Sequence, residues 1–410
     1  MARHSSSRYS RLRLGLVLHI ALMVGAAVLA AGVSGWGIWW LFGSPDLSGP
    51  TDQASRFEVV KLILTVAGSF TAGLGAVIAL VVQYRKQHLS EAGERREDTK
   101  LFLERYAKAA EQLGSDKAAV RLAGVYSMVS LADDWAEERQ TCVDVLCAYI
   151  RMPYEPPSDA DPEGMGERQV RHALLKALSQ RVYDGYDRAW PRFRFDFTGA
   201  VIDGGVMARM AVPAHSEVLF DRARFTGAEL NLWGAHVAGG VLSFDGAVIE
   251  EGARVDLSSM NVTHGVFRAD GIQVREGVLD LASGRFPGGG LLLREISLEA
   301  GGEVRLTGAR FGDTIGIGGV VDGGLLDFTR AEFGLRPGTG HALPQKIGPL
   351  DMRAGRLDFT GTLAERPIEL GEVTFGGGTV DLRELGADTV VRYPEGALGL
   401  SLPQPRRPES

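Results

Sequence analysis

A chain of 410 residues, 45% hydrophobic and 23% charged with a formal net charge of -7, is too apolar for a disordered polymer and long enough for several folded units. Its only two cysteines, Cys142 and Cys147, exclude a disulfide-built fold; their spacing is not C-x-x-C, and both are read as buried structural thiols. Charge is uneven along the chain, with 11 Lys/Arg against 7 Asp/Glu in residues 1–100, 11 against 15 in 101–190, and 22 against 29 in 191–410.

Residues 1–13 form a basic tail with Arg3, Arg8, Arg11 and Arg13. From Leu14 to Phe42 there are 29 residues without a charge, and a second uncharged run of 21 residues extends from Leu62 to Val82. A helix crosses a bilayer core in about 20 residues, so residues 14–83 are expected to form two transmembrane helices joined by a short external loop. Arg85, Lys86, Arg95, Arg96 and Lys100 follow the second run, whereas the connection holds only Arg56 and Lys61. Positive charge retained on the cytoplasmic side then places both termini, and the bulk of the chain, in the cytoplasm beneath the plasma membrane. Trp36, Trp39 and Trp40 suit an interfacial belt. A cleaved signal peptide is disfavoured because WGIWWLF continues the apolar run past VLAAG. His19 has no partner acid in either run and is assigned a snorkelling or helix-packing role. Ala27, Ala31 and Gly35, and Ser69 and Gly73, are spaced four apart, which suits close helix contact within the hairpin or with a second copy in a homo-oligomer.

Residues 84–152 read as a helical membrane-proximal domain. Phe102, Tyr106, Ala109, Ala110 and Leu113 share one helical face, which Gly114 ends, and Ser115 or Asp116 is expected to cap the next helix. That helix carries Val120, Ala123, Met128, Leu131 and Trp135, and a third carries Val143, Leu146 and Ile150 and stops at Pro153. PYEPPSDADPEGMG, residues 153–166, is a linker. In 167–190 a fourth helix through Val170, Leu174, Leu178 and Val182 is expected to cap the C-terminal segment. The acids Asp133, Asp134, Glu137 and Glu138 lack the calcium-loop pattern and are taken as a solvated surface.

After Trp190 the helical period gives way to a unit of the form apolar-x-apolar-x-x-small-x-apolar, as in FDFTGAVI from Phe195, LDLASGRF from Leu279 and LDFTRAEF from Leu326. Its second apolar residue falls at Phe197, Phe220, Leu232, Phe244, Leu257, Leu281, Leu293, Leu306, Phe328, Phe359, Leu370 and Leu382, with spacings near 12 or 24. A fixed period of this size indicates a solenoid, here over 191–398, with a loop near 334–356, a cap from 383–398 and a disordered tail at 399–410. Alternate residues of a strand point the same way, so the paired apolar residues face inward. Asp196, Asp256, Asp280, Asp327, Asp351, Asp358 and Asp381 lie between such pairs and are expected to face water. With laps near 24 residues, Asp256, Asp280, Arg305 and Asp327 would stack in one outward column, Arg305 relieving the repulsion.

VTFGGGTVDL from Val373 and FDFTGAVIDGG from Phe195, with the helical segments YAKAAEQLGSDKAAVRLAGVYSMVSLAD from Tyr106 and VLCAYIRMPYEPP from Val145, resemble the actinobacterial membrane-anchored pentapeptide-repeat-like proteins. The resemblance covers most of residues 100–385, and the helical part is the more specific. It implies a parallel β-solenoid (a pentapeptide-repeat-like β-helix) on a helical membrane-proximal unit, and no chemistry. The strict five-residue period is weak, so lap size is not fixed by the resemblance.

The fold expected is thus α plus all-β. There is no G-x-x-x-x-G-K-[ST], H-E-x-x-H or G-x-S-x-G, and no residue is assigned as catalytic, cofactor-binding or metal-binding. PGGG at 287–290 and GIGGVVDGG at 316–324 lack the regular aspartates of a calcium repeat. His215, His236, His264 and His341 are scattered in the register. The leading expectation is a non-enzymatic membrane-anchored scaffold that binds a protein partner, without cofactor, nucleic acid or small-molecule substrate. A carbohydrate-binding or carbohydrate-active β-helix is the enzyme-class alternative, and an acidic DNA mimic a third.

Overall fold

The computed structural model describes residues 53–392, except 159, 184–188, 313–314, 335–344, 366 and 387–388, together with scattered positions between 25 and 40. The basic tail, most of the run 14–42 with His19 and Trp39, the loop centre with His341, and residues 393–410 lie outside the described residues. The chain divides into two compact units, residues 1–100 and 101–410.

Helix α1, Gln53–Leu113, is continuous, with no break at the expected boundary near residue 83. In its first part the hydroxyls of Thr65 and Ser69 donate back to the carbonyls of Lys61 and Thr65, so they need no outside partner. Among the described residues no helix is long and apolar enough to cross a membrane. The hairpin expected from the two uncharged runs therefore has no support in the structure; most of the first run and several side chains of the second lie outside the described residues.

In the second unit, α1 ends at Leu113 as expected, and α2 (Ala118–Asp134), α3 (Arg139–Arg151) and α4 (Pro162–Arg181) follow. Lys117, not Ser115 or Asp116, occupies the cap position of α2, and Ser115 Oγ instead accepts from its N–H at 3.3 Å. The linker is shorter than expected because Asp161 caps α4 by accepting from Gly164 N at 3.0 Å, with Pro162 in the first turn. Phe102, Leu113, Val125, Met128, Leu146, Ile150, Leu174 and Leu178 form the shared core of these helices. Gly124 lets α2 approach the end of α1, since a Cβ there would lie 2.7 Å from Leu113 N.

From Arg194 the chain winds a stack of parallel strands, each lap laying down four short extended segments. The first face holds Glu229–Asn231, Arg254–Asp256, Val278–Asp280, Glu303–Arg305, Leu325–Asp327, Arg356–Asp358 and Thr379–Asp381, all parallel and in register below Gly205–Val206. The second and third faces come from the two ends of bent strands such as His236–Ser243 and Asn261–Arg268, and the fourth from Arg224–Thr226, Val248–Glu250 and Gln273–Val274. At the bend Gly239 adopts φ +115°, a conformation that disfavours a side chain.

The register explains the spacing of about 12. Every apolar mark from Phe197 to Leu370 is buried, but the marks belong to two ladders on opposite sides of the lap. Phe197, Phe220 and Phe244 stack with centroids 5.1 and 4.9 Å apart beside the third face. Leu232, Leu257, Leu281, Leu306, Phe328, Phe359 and Leu382 follow the first face, tied rung to rung by backbone bonds such as Leu257 N to Asp280 O at 2.8 Å. One sequence unit is half a lap.

Asn231, Asp256, Asp280, Arg305, Asp327, Asp358 and Asp381 do form one column. The expectation that these acids face water fails for Asp256, Asp280 and Asp358, which are 8%, 3% and 9% exposed, while Asp327 and Asp381 are half-buried. Each carboxylate turns along the chain and accepts the N–H two residues on, as Asp280 does from Ala282 at 2.9 Å and Asp327 from Thr329 at 2.8 Å. Arginines of neighbouring rungs supply the counter-charge, with Arg254 to Asp280 at 2.7 Å and Arg356 to Asp381 at 2.9 Å. Arg305 lies 3.9 Å from Asp280 and closer to Glu303. Asp280→Asn, which keeps the acceptor, is expected to unfold within about 1 kcal/mol of wild type, and Asp280→Ala to lose about 1–3 kcal/mol, measured by chemical denaturation.

Candidate functional site

A solenoid begins with an open lap, whose unpaired N–H and C=O groups invite pairing with another chain. Side chains of the helices close that lap. Gln140 of α3 accepts from Arg194 N at 3.0 Å and donates to Arg194 O at 2.9 Å, so its carboxamide stands in for a preceding strand. Arg171 of α4 donates to Val201 O at 3.1 Å, Arg168 donates to Asp203 O at 3.1 Å, and Val182 O accepts from Ala211 N at 2.7 Å.

The same residues build a dense polar cluster. Arg171 is 4% exposed, donates to the carbonyls of Tyr149 and Ile150 at the end of α3, and lies 4.2 Å from the ring centre of Tyr154. Glu167 accepts from Tyr149 Oη at 2.7 Å and pairs with Arg121 at 3.0 Å. Tyr154 Oη donates to Asp203 at 2.7 Å, and Arg168 and His172 reach the same carboxylate at 3.1 and 3.3 Å. A shallow groove lined by Leu113, Arg121, Met152, Pro153, Glu163 and Glu167 opens beside it.

Electrostatics make this cluster a clamp. Burial raises the pKa values of both tyrosines, and hydrogen bonds to Glu167 and Asp203 add to the rise, so both phenols stay protonated donors. Burial lowers the pKa of Arg171, opposed by Glu167, Tyr154 and Asp203. Burial works to raise Asp203, but His172 and Tyr154 hydrogen bonds, with the charges of His172 and Arg168, outweigh it and hold the carboxyl below its usual range. A carboxylate depressed in the folded state contributes stability above its unfolded pKa of about 3.9, and that contribution is lost as pH falls through the lower folded value. Asp203→Asn is therefore expected to be less stable than wild type at neutral pH and to lose less on acidification. Melting temperatures from neutral pH to below about pH 3 check this, and parallel curves would contradict it.

Other acids fall in separate places. Asp133 is not solvated, because it accepts from Arg181 Nε at 3.0 Å and Trp190 Nε1 at 2.9 Å. Asp134 meets Arg105 at 3.1 Å. Asp221, Asp245 and Asp270 stack at the corner after the third face, where Arg268 lies 3.1 Å from Asp245 and Arg294 forks onto Asp270. Burial raises the pKa of Asp245, and the charges of Asp221 and Asp270 raise it further against the pull of the Asp270 N–H and Arg268. Cys142 and Cys147 are buried, their thiols pushed up to about 11 and about 12 by burial. His236 meets Thr263 Oγ1 at 3.2 Å on the second face. Among the described residues no group of three His, Cys, Asp or Glu is arranged to hold a metal ion.

No family model and no curated protein matches the chain. Sequence reasoning singled out neither Gln140, Arg171 nor Asp203, since no motif marks an end cap. Its one legible signal is the density of Arg, Tyr and acid in Tyr149–Asp203 next to the first repeat.

Proposed function

We propose that the chain is a non-enzymatic membrane-anchored scaffold whose solenoid is presented in the cytoplasm to a protein partner. The observation that carries this reading is the long in-register stack of flat, parallel faces, a shape that serves extended binding surfaces in repeat proteins. The polar cluster around Arg171 is spent on end-capping, and the stacked acids are held by backbone N–H groups and arginines, which favours a structural role for both over a carbohydrate-active one.

Membrane anchoring is supported by the uncharged runs 14–42 and 62–82 and by the Lys/Arg that flank them. Exposed Trp36, Trp40, Leu62, Val77, Leu80 and Val82 in the first unit also need an apolar surrounding. The resemblance to actinobacterial pentapeptide-repeat-like membrane proteins belongs to the same proposal. In-cell crosslinking of the full-length protein with mass spectrometry tests the scaffold, which recovery of no partner would end. Reporter fusions at the C-terminus test the orientation, and an extracytoplasmic reporter would reverse it.

A further inference from the structure

The four faces differ in how their outward arginines are matched. Beside the first and third faces, arginines meet acids of an adjacent rung, as in Arg254–Asp280 at 2.7 Å and Arg268–Asp245 at 3.1 Å. The second face keeps this pattern only in part. Its outward column places Asn261, Arg285, Arg310, Glu332 and Leu363 in register on successive rungs. Arg285 and Arg310 are thus like charges on adjacent strands, an arrangement that destabilises a sheet unless an anion lies between. Arg310 turns away to Glu332 at 2.9 Å, and Arg285 has no acidic partner among the described residues.

His236 precedes Asn261 in this column, and apolar side chains flank it. Trp233, 45% exposed, sits at the corner leading into the face, and Leu363, 50% exposed, closes the column. Exposed Trp and Arg with apolar anchors are the composition of a binding hot spot.

Resting on the scaffold reading, we infer that the second face is the docking surface and that its occupant is an extended acidic segment of a protein partner. A carboxylate of that segment bridges Arg285 and Arg310, and an apolar side chain packs on Trp233. From the rung of Trp233 and His236 to that of Leu363 is five steps of about 4.8 Å, or roughly seven extended residues.

The test uses full-length protein in detergent and fluorescence anisotropy with three labelled probes, a short peptide of alternating Glu and Val, its Lys/Val counterpart, and duplex DNA. The Glu/Val peptide is expected to bind, with affinity falling at least about tenfold in Arg285→Glu and little changed in Arg353→Ala, an exposed arginine paired with Asp351 near the fourth face. Thermal melts of Arg285→Glu confirm that the fold persists. Equal binding by Arg285→Glu and wild type, or preference for the Lys/Val peptide or DNA, overturns the inference. If in-cell crosslinking recovers a partner held on another face, the scaffold stands and this surface falls. Recovery of no partner ends the scaffold reading, while the peptide result still decides the face.

Discussion

Phe328→Ala is expected to cost about 3–5 kcal/mol, because a large buried ring is removed and its cavity cannot close. Phe328 is fully buried, stacks on Phe359 with centroids 4.9 Å apart and planes 8° from parallel, and has the Phe333 ring centre 6.0 Å away. Its own N–H is bonded to Asp358 O at 2.7 Å and its O accepts from Thr362 Oγ1 at 2.9 Å, so the backbone holds the space open. Phe328→Asp is expected to do more, since a carboxylate in that ladder has no counter-charge, and should leave the laps around Leu326 unfolded. Chemical denaturation measures the first, and protease sensitivity in the laps around Leu326 the second. Unchanged unfolding in either variant would contradict the register assigned to LDFTRAEF.

Arg171→Ala is the second large effect, at about 3–5 kcal/mol for breaking a buried charge network. The guanidinium spans three carbonyls, those of Tyr149, Ile150 and Val201, and compensates Glu167. Removing it orphans acceptors on both the helices and the first lap, each costing about 1–3 kcal/mol when buried. A lysine cannot replace it, since one ammonium lacks the fork that reaches both sides. Arg171→Lys is therefore expected to recover less than half the loss in denaturant titrations. The freed lap should also show concentration-dependent self-association, because its edge becomes a template. Wild-type stability in Arg171→Ala would show that the cap is held by apolar packing alone.

LDFTRAEF shows how much local sequence can reveal. Leu326, Phe328, Ala331 and Phe333 point inward as their alternation implies, and Arg330 takes the left-handed conformation, φ +56°, that the turn needs. Period two within a strand and Ala at a tight corner are local properties, so they are legible. Half a lap reads as the repeat because opposite faces use the same local rule, and only register separates them. The water-facing reading of Asp327 is incomplete: the side chain is half-buried on the outward side, and one of its oxygens is taken up in an Asx turn, of which Thr329 two residues on is the mark. Gln140 and Arg171 act over 54 and 30 residues of sequence, and no local pattern reports such reach.

The corner at Asp245 gives the opposite pH sense from Asp203. A carboxyl raised in the folded state favours folding when protonated, so its contribution declines as pH rises through the raised value. Neighbouring Asp270 is held below its usual range, where burial is outweighed by Arg294 hydrogen bonds and the charges of Arg294 and Arg268. These opposed shifts on adjacent rungs place the repulsion at one residue and the neutralisation at the next.

Register is the claim on which the ladders, the Asx turns and the docking column all depend, and paired cysteines test it directly. Val278 and Glu303 are in-register partners on the outward side of the first face, one rung apart. Strands lie about 4.8 Å apart, inside the Cα range of about 4.4–6.8 Å that a disulfide accepts. Native Cys142 and Cys147 are buried and stay silent. Mild oxidation of full-length Val278→Cys/Glu303→Cys is expected to form an intramolecular disulfide, while Val278→Cys/Val304→Cys, whose second side chain points inward, is expected not to. Crosslinking of the second pair and not the first would contradict the in-register solenoid.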